Sequence, residues 1–167
     1  MLKGLLLTLV LLACAGAGRM LSGGRKRRQE LLGELLAALR VLRLRMLNSM
    51  EPLGILLRKS DAALFRQLGN SLWEGAGLAE SWEKLRAEET KRGKAMDSLT
   101  EEDVRLLDGF FARLGGSGRD EQGELFSDVI ARLEEAHARA KQAFSEASKT
   151  YTALGALVGI GICIIII

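Results

Sequence analysis

Apolar and charged residues are sorted along this chain. Gly4 to Gly18 is apolar or small apart from Thr8, and nothing after Lys149 carries a side-chain charge. The last four residues are all isoleucine. Between these ends the apolar positions recur in steps of three and four, the spacing of one helix face. Leu32, Leu35, Leu36, Leu39, Leu42 and Met46 form one stripe, which predicts a helix over Gln29 to Leu47. Asn48-Ser49-Met50-Glu51-Pro52 breaks it, and Pro52 suits the opening turn of the next helix. Short helices are predicted around Leu53 to Arg58 and Asp61 to Trp73. Gly75-Ala76-Gly77 interrupts before a further helix over Leu78 to Lys91.

Thr100-Glu101-Glu102-Asp103 reads as a helix start, a capping hydroxyl followed by acids in the first turn, where the helix dipole favours negative charge. That helix runs to Leu114 and stops at Gly115-Gly116-Ser117-Gly118. The last helix extends from about Asp120 toward Lys149. Its seam of Phe126, Val129, Leu133, Ala136, Ala140, Ala143, Ala147 and Tyr151 runs into the terminal apolar segment, a continuity expected to make a stiff link to it.

The expected fold is all-α, a bundle of about six helices flanked by two terminal transmembrane helices. Domain boundaries are expected at 1–24 for an N-terminal anchor, 25–149 for the bundle and 150–167 for the C-terminal membrane helix. Composition supports this. Leu, Ala, Glu, Arg and Lys dominate the middle, there is one proline, and aromatics are 5% of the chain. Without its apolar ends the chain keeps roughly 130 residues, enough for one modest core.

Charge decides the orientation of the ends. A membrane-crossing helix needs about 20 residues, and Thr150 to Ile167 meets the short end of that range. Gly4 to Gly18 is shorter, but Lys3 and Arg19 can snorkel and Met20-Leu21 extend its apolar surface. Arg19 and the Arg25-Lys26-Arg27-Arg28 cluster follow it at once, and Arg139, Lys141 and Lys149 precede the second segment. By the positive-inside rule the bundle is expected in the cytoplasm and both termini outside. The competing reading is export: Leu11-Leu12-Ala13-Cys14 resembles a lipoprotein cleavage box, which would place a lipid on Cys14 and make the chain an envelope adaptor. Gly155 and Gly159 form a GxxxG, and Ala13 and Ala17 offer a similar small face, so these residues are candidates for helix packing within the membrane.

Little in the middle suggests chemistry. The net charge of +3 arises from a local cluster and does not describe a nucleic-acid surface. Both cysteines, Cys14 and Cys163, lie in the apolar ends, so the middle has neither a disulfide framework nor a thiol ligand. His137 stands alone, whereas a zinc site takes three or four ligands. It is expected as a surface or half-buried helix residue. Glu101, Glu102 and Asp103 point in different directions on a helix, so capping outweighs acid–base work. The glycines at 115–118 follow a helix and lack the Lys-Ser/Thr of a phosphate loop. No cofactor and no enzymatic activity are expected, and Trp73 and Trp82 are expected in the core or at its rim.

The order of these pieces resembles the stage III sporulation protein AB family of endospore-forming bacteria. The resemblance rests on the Met1-Leu2-Lys3-Gly4 start, the Met50-Glu51-Pro52-Leu53 break, Ala79-Glu80-Ser81-Trp82, and Leu99-Thr100-Glu101-Glu102-Asp103. Leu114-Gly115 followed by Ser117-Gly118-Arg119-Asp120-Glu121-Gln122 completes it. Gly115-Gly116 and the arginine-rich stretch Arg40 to Arg45 depart from the family pattern. The resemblance implies a helical bundle similar to the cytoplasmic domains of the type II secretion inner-membrane F protein. It further implies a structural part in a channel-like complex between mother cell and forespore, in the mother-cell membrane. The implied partners are a co-encoded cytoplasmic secretion-type ATPase and other membrane proteins of that complex, with self-association also admitted. Two charged surfaces are the candidate contacts: Arg119, Asp120 and Gln122, and the face of Arg40, Arg43 and Arg45. For both the ordinary alternative is a solvated helix surface.

Overall fold

In the computed structural model the described backbone covers residues 2–49 and 51–166, and the described side chains 23–49 and 51–147. Among the described residues the fold is all-α. The elements are α1 (Leu2–Asn48), α2 (Leu53–Arg58), α3 (Ala63–Trp73), α4 (Leu78–Glu89), a 3₁₀ turn Ala95–Ser98, α5 (Glu101–Arg113) and α6 (Arg119–Ile166). Contacts divide the chain into two compact units. One consists of Met1–Gln29 with Arg139–Ile167, the other of Glu30–Ala138.

The expected anchor and first amphipathic helix belong to one unbroken helix, α1. Gly23 and Gly24 do not interrupt it, because each glycine costs only about 1 kcal/mol within a long run of helix formers. Likewise α6 runs without a break from Arg119 to Ile166. The two expected membrane spans, and the packing faces of Ala13, Ala17, Gly155 and Gly159, fall where side chains lie outside the described residues. Among the described residues no helix is long and apolar enough to cross a membrane.

In the unit Glu30–Ala138, α1 buries Leu32, Leu35, Leu36, Leu39 and Leu42, the predicted stripe. Met46 is only half-buried. Pro52 sits one position before α2, and its carbonyl accepts from the N–H groups of Ile55 and Leu56 at 2.9 and 3.2 Å. Helix α2 packs on α3, α3 on α4, and α4 on α5 and the 3₁₀ turn. The α2–α3 approach is close enough to require glycine: a Cβ at Gly69 would lie 2.4 Å from the backbone nitrogen of Arg58 and 2.9 Å from the carbonyl carbon of Leu57.

The centre of the unit is aromatic. Trp82 of α4 stacks on Phe111 of α5 at 4.2 Å between ring centroids, and Phe65 of α3 meets Phe111 edge-on at 5.7 Å. Phe110 contacts Phe111 and also Phe126 of α6, each at 5.1 Å. Polar groups tie the same helices at their ends. The Trp82 indole N–H donates to Asp108 Oδ1 at 2.7 Å, so a buried tryptophan keeps its hydrogen bond. Glu34 on α1 accepts from the backbone N–H of Ala63 at 2.9 Å and caps α3, whose own capping position is an alanine. Thr100 and Asp103 form the reciprocal capping box that opens α5, with Asp103 Oδ2 accepting from Thr100 N–H at 2.9 Å.

Replacing Gly69 with alanine should destabilise the protein by about 1–3 kcal/mol, since a methyl group has no room there. Gly109→Ala, at an exposed position in α5 where a Cβ meets nothing within 4 Å, should stabilise by about 0.4–1 kcal/mol. The urea midpoints of the two variants should therefore move in opposite directions from the parent.

Candidate functional site

The C-terminal part of α1 and the first turns of α6 enclose an open groove of about 470 Å³. Arg43, Leu47 and Asn48 line it from α1, and Arg119, Asp120, Gly123, Glu124 and Ser127 from α6. Its position follows from how α6 begins. Helix α5 ends at Arg113, and the chain turns through Gly115, whose φ of +77° is a left-handed conformation open to glycine. Gln122, one turn into α6, then reaches back over this loop. Its Oε1 accepts from Gly115 N–H at 3.1 Å, while its Nε2 donates to the Arg113 carbonyl at 3.1 Å and to Ser117 Oγ at 2.6 Å. This fixes the first turn of α6, and with it Arg119 and Asp120.

The expectation that Gln122 belongs to an exposed partner surface is therefore corrected. Gln122 is 3% exposed and spends its amide on the loop. The sequence signal for this was the spacing of an amide seven residues beyond a helix-ending glycine, which becomes legible only once the turn is known. Arg119 and Asp120 are exposed, as is Arg45, while Arg43 is half-buried. The groove unites Arg43 with Arg119 and Asp120, candidates from the two surfaces that sequence kept apart. Arg40 and Arg45 do not line it. Arg40 instead pairs with Glu134 of α6 at 2.5 Å; with both side chains about half exposed, such a pair contributes roughly 0–1 kcal/mol. Sequence reasoning missed Leu47, Asn48 and Glu124, because only the α1–α6 packing makes them neighbours.

Electrostatically the groove is mixed. Among the described residues, Arg43 and Arg119 stand in no ion pair, and Asp120 and Glu124 add acids along the same wall. Acids at the start of α6 also match the helix dipole. Such a surface suits a polar protein contact, with arginines available to a carboxylate. On the outer face of α4, Glu80 and Glu88 have their proton affinity lowered by a neighbouring lysine. A hydrogen bond from Lys84 lowers the Glu80 carboxyl and raises the lysine, and Lys91 lowers Glu88. These are exposed ion pairs between neighbouring turns. Among the described residues no group of three His, Cys, Asp or Glu side chains is placed to hold a metal ion.

The remaining single candidates separate clearly. His137 is half-buried beside Gly33, where an added Cβ would stand 3.3 Å from the imidazole Nε2. Trp82 is core, whereas Trp73 is 64% exposed with the Arg58 guanidinium 4.8 Å from its ring centroid.

Residues 3–167 match the family model described as stage III sporulation protein AB. A solved structure of a stage III sporulation protein AB superposes with a TM-score of 0.59 at 22% sequence identity, covering 71% of this chain and 97% of that one. At that identity the superposition establishes the fold. No curated protein matches the chain.

Replacing Gln122 with leucine should cost about 1–3 kcal/mol, because it leaves the Gly115 N–H without its partner and the Arg113 carbonyl with only the Gly116 N–H at 3.3 Å. Hydrogen exchange at Gly115 should accelerate in that variant while exchange in the middle of α5 changes less.

Proposed function

The chain belongs to the stage III sporulation protein AB family, and from that premise we propose that it is a non-enzymatic membrane scaffold of a mother cell–forespore secretion-like complex. In this reading both ends anchor it in the mother-cell membrane with the termini outside, and the bundle faces the cytoplasm. Its work is to couple a cytoplasmic secretion-type ATPase to other membrane proteins of the complex. The anchors are supported by the uncharged segments and the basic residues that flank them. Helix packing through Gly155 and Gly159, and through Ala13 and Ala17, belongs to the same proposal.

The observation that carries the contact is the groove where Arg43 and Arg119 meet from two helices. Loop and helix start are tied by Gln122, so this surface needs little ordering on binding, which favours affinity. Arginines that remain without an acid can take carboxylates of the partner in a forked geometry.

Two experiments test the reading. The full chain, reconstituted in membrane discs, should retain the co-encoded ATPase. The double reversal Arg43→Glu and Arg119→Glu should weaken that retention at least tenfold, while Lys84→Glu on α4 leaves it unchanged. Retention by the double variant at the parental level removes the groove from the proposal. Mass spectrometry of the N-terminus should show an intact Met1, and a chain beginning at a diacylated Cys14 would establish the lipoprotein reading instead.

A further inference from the structure

The charge of the chain divides where its contacts divide. Glu30–Ala138 holds 15 Lys and Arg against 20 Asp and Glu, so this unit is acidic although the whole chain is net +3. The other unit holds nine basic side chains and one acid, Glu146. Its densest part is Arg25-Lys26-Arg27-Arg28 on α1, where Arg25, Lys26 and Arg27 are exposed and Arg28 is half-buried. Successive helix residues are about 100° apart, so these four encircle the axis of α1 instead of forming one face. Because α1 is unbroken, Arg25 stands about 6 Å along the axis beyond Leu21, and Arg28 about 10 Å. Helical Cβ atoms lean toward the N-terminus, so the four side chains lean back toward the turn that holds Gly23 and Gly24. Both glycines leave open space there, with nothing within 4 Å of an added Cβ.

We propose that this ring of four basic residues binds anionic phospholipid headgroups and gathers acidic lipid around the first anchor. The inference rests on the membrane anchoring proposed above. A hydrocarbon core about 30 Å thick in a bilayer of about 40–45 Å leaves roughly 5–8 Å of headgroups on each side. With Leu21 at the hydrocarbon edge, the ring starts inside that layer and ends within a Debye length of it, about 8–10 Å. Basic residues held this close to a bilayer are attracted by acidic lipids. Geometry selects the occupant. A protein or a nucleic acid meets a helix on one face, whereas a lipid leaflet surrounds it, and a ring of charge matches a surround. The acidic unit that follows adds attraction neither for a polyanion nor for the leaflet, so selectivity falls on the ring. On α6, Arg139 and Lys141 stand roughly 17 and 14 Å before Thr150, and there the Cβ lean is away from the apolar end.

The test uses the full chain in discs of phosphatidylcholine with phosphatidylglycerol, whose two leaflets are alike, so that orientation does not affect the readout. Spin-labelled analogues of each lipid report the fraction held at the protein surface. Phosphatidylglycerol should be favoured over phosphatidylcholine at least threefold, and glutamine at all four ring positions should bring the ratio to about one. Arg25→Lys/Arg27→Lys/Arg28→Lys should keep the preference, because a headgroup layer asks for charge and not for a forked donor. Glutamine at Lys84, Lys91, Arg92 and Lys94, on α4 and the loop after it, should also keep it. A parental ratio in the ring variant overturns the proposal. So does loss of the preference in millimolar inorganic phosphate at constant ionic strength, which would mark a site for free phosphate. A ratio near one in the parent also overturns it, and retention of a labelled oligonucleotide by those discs would then assign the ring to nucleic acid. Alkaline carbonate separates this inference from the anchoring. A chain that carbonate strips from vesicles of the same lipids loses both, whereas a chain that stays but shows no lipid preference loses the ring alone.

Discussion

Phe110 and Phe111 are adjacent on α5 and lie about 100° apart around the helix, yet both are buried. Helix α5 must therefore be covered on two sides at once. On one side Phe111 takes the Trp82 ring and the edge of Phe65. On the other, Phe110 meets Phe126. Aromatic pairs of this kind add about 0.5–1.5 kcal/mol beyond the area they bury, so the arrangement favours one relative placement of α3, α4, α5 and α6 over looser alternatives. Asp108 reinforces it with the Trp82 indole and the Arg86 guanidinium, both on α4. The polar ties do not drive folding; they restrict which apolar arrangement is reached.

From this centre the contact surface inherits its geometry. Phe126 holds α6 from within, and Gln122, one turn earlier, clasps the loop that leaves α5. Between them the first turns of α6 have little freedom, so Arg119 is presented to the Arg43 side of α1 in one arrangement. A surface built this way loses little entropy when a partner binds.

Much of the bundle was legible because its signals are local. Thr100 with Asp103 is a capping box written in four consecutive residues, and the leucines of α1 repeat at the helical period. Gly115 marked a helix end for a reason that holds in any fold. What stayed hidden depends on residues distant in the chain. Glu34 caps α3 from 29 positions away, and nothing near Ala63 announces it. Trp73 and Trp82 read alike in sequence, yet one is stacked on Phe111 and the other lies outside under Arg58. Gln122 looked like one member of a polar surface motif. Its burial follows from the left-handed turn at Gly115, which brings backbone groups within its reach.

The same distinction separates the two faces of α1. Its inner face is an apolar row whose partners lie in the bundle, and periodicity alone exposes it. Its outer edges are arginines, and a periodic reading cannot tell which of them the fold will consume. Packing against α6 decides this: Arg40 is drawn to Glu134, Arg43 is turned into the groove with Arg119, and Arg45 is left at the opposite edge. One arginine-rich stretch thereby serves three different environments. Its charge pattern is thus a consequence of how the helix is rotated about its own axis, and that rotation is set by the buried leucines on the far side. Hydrophobic burial fixes the rotation, and the rotation determines which charges remain for a partner.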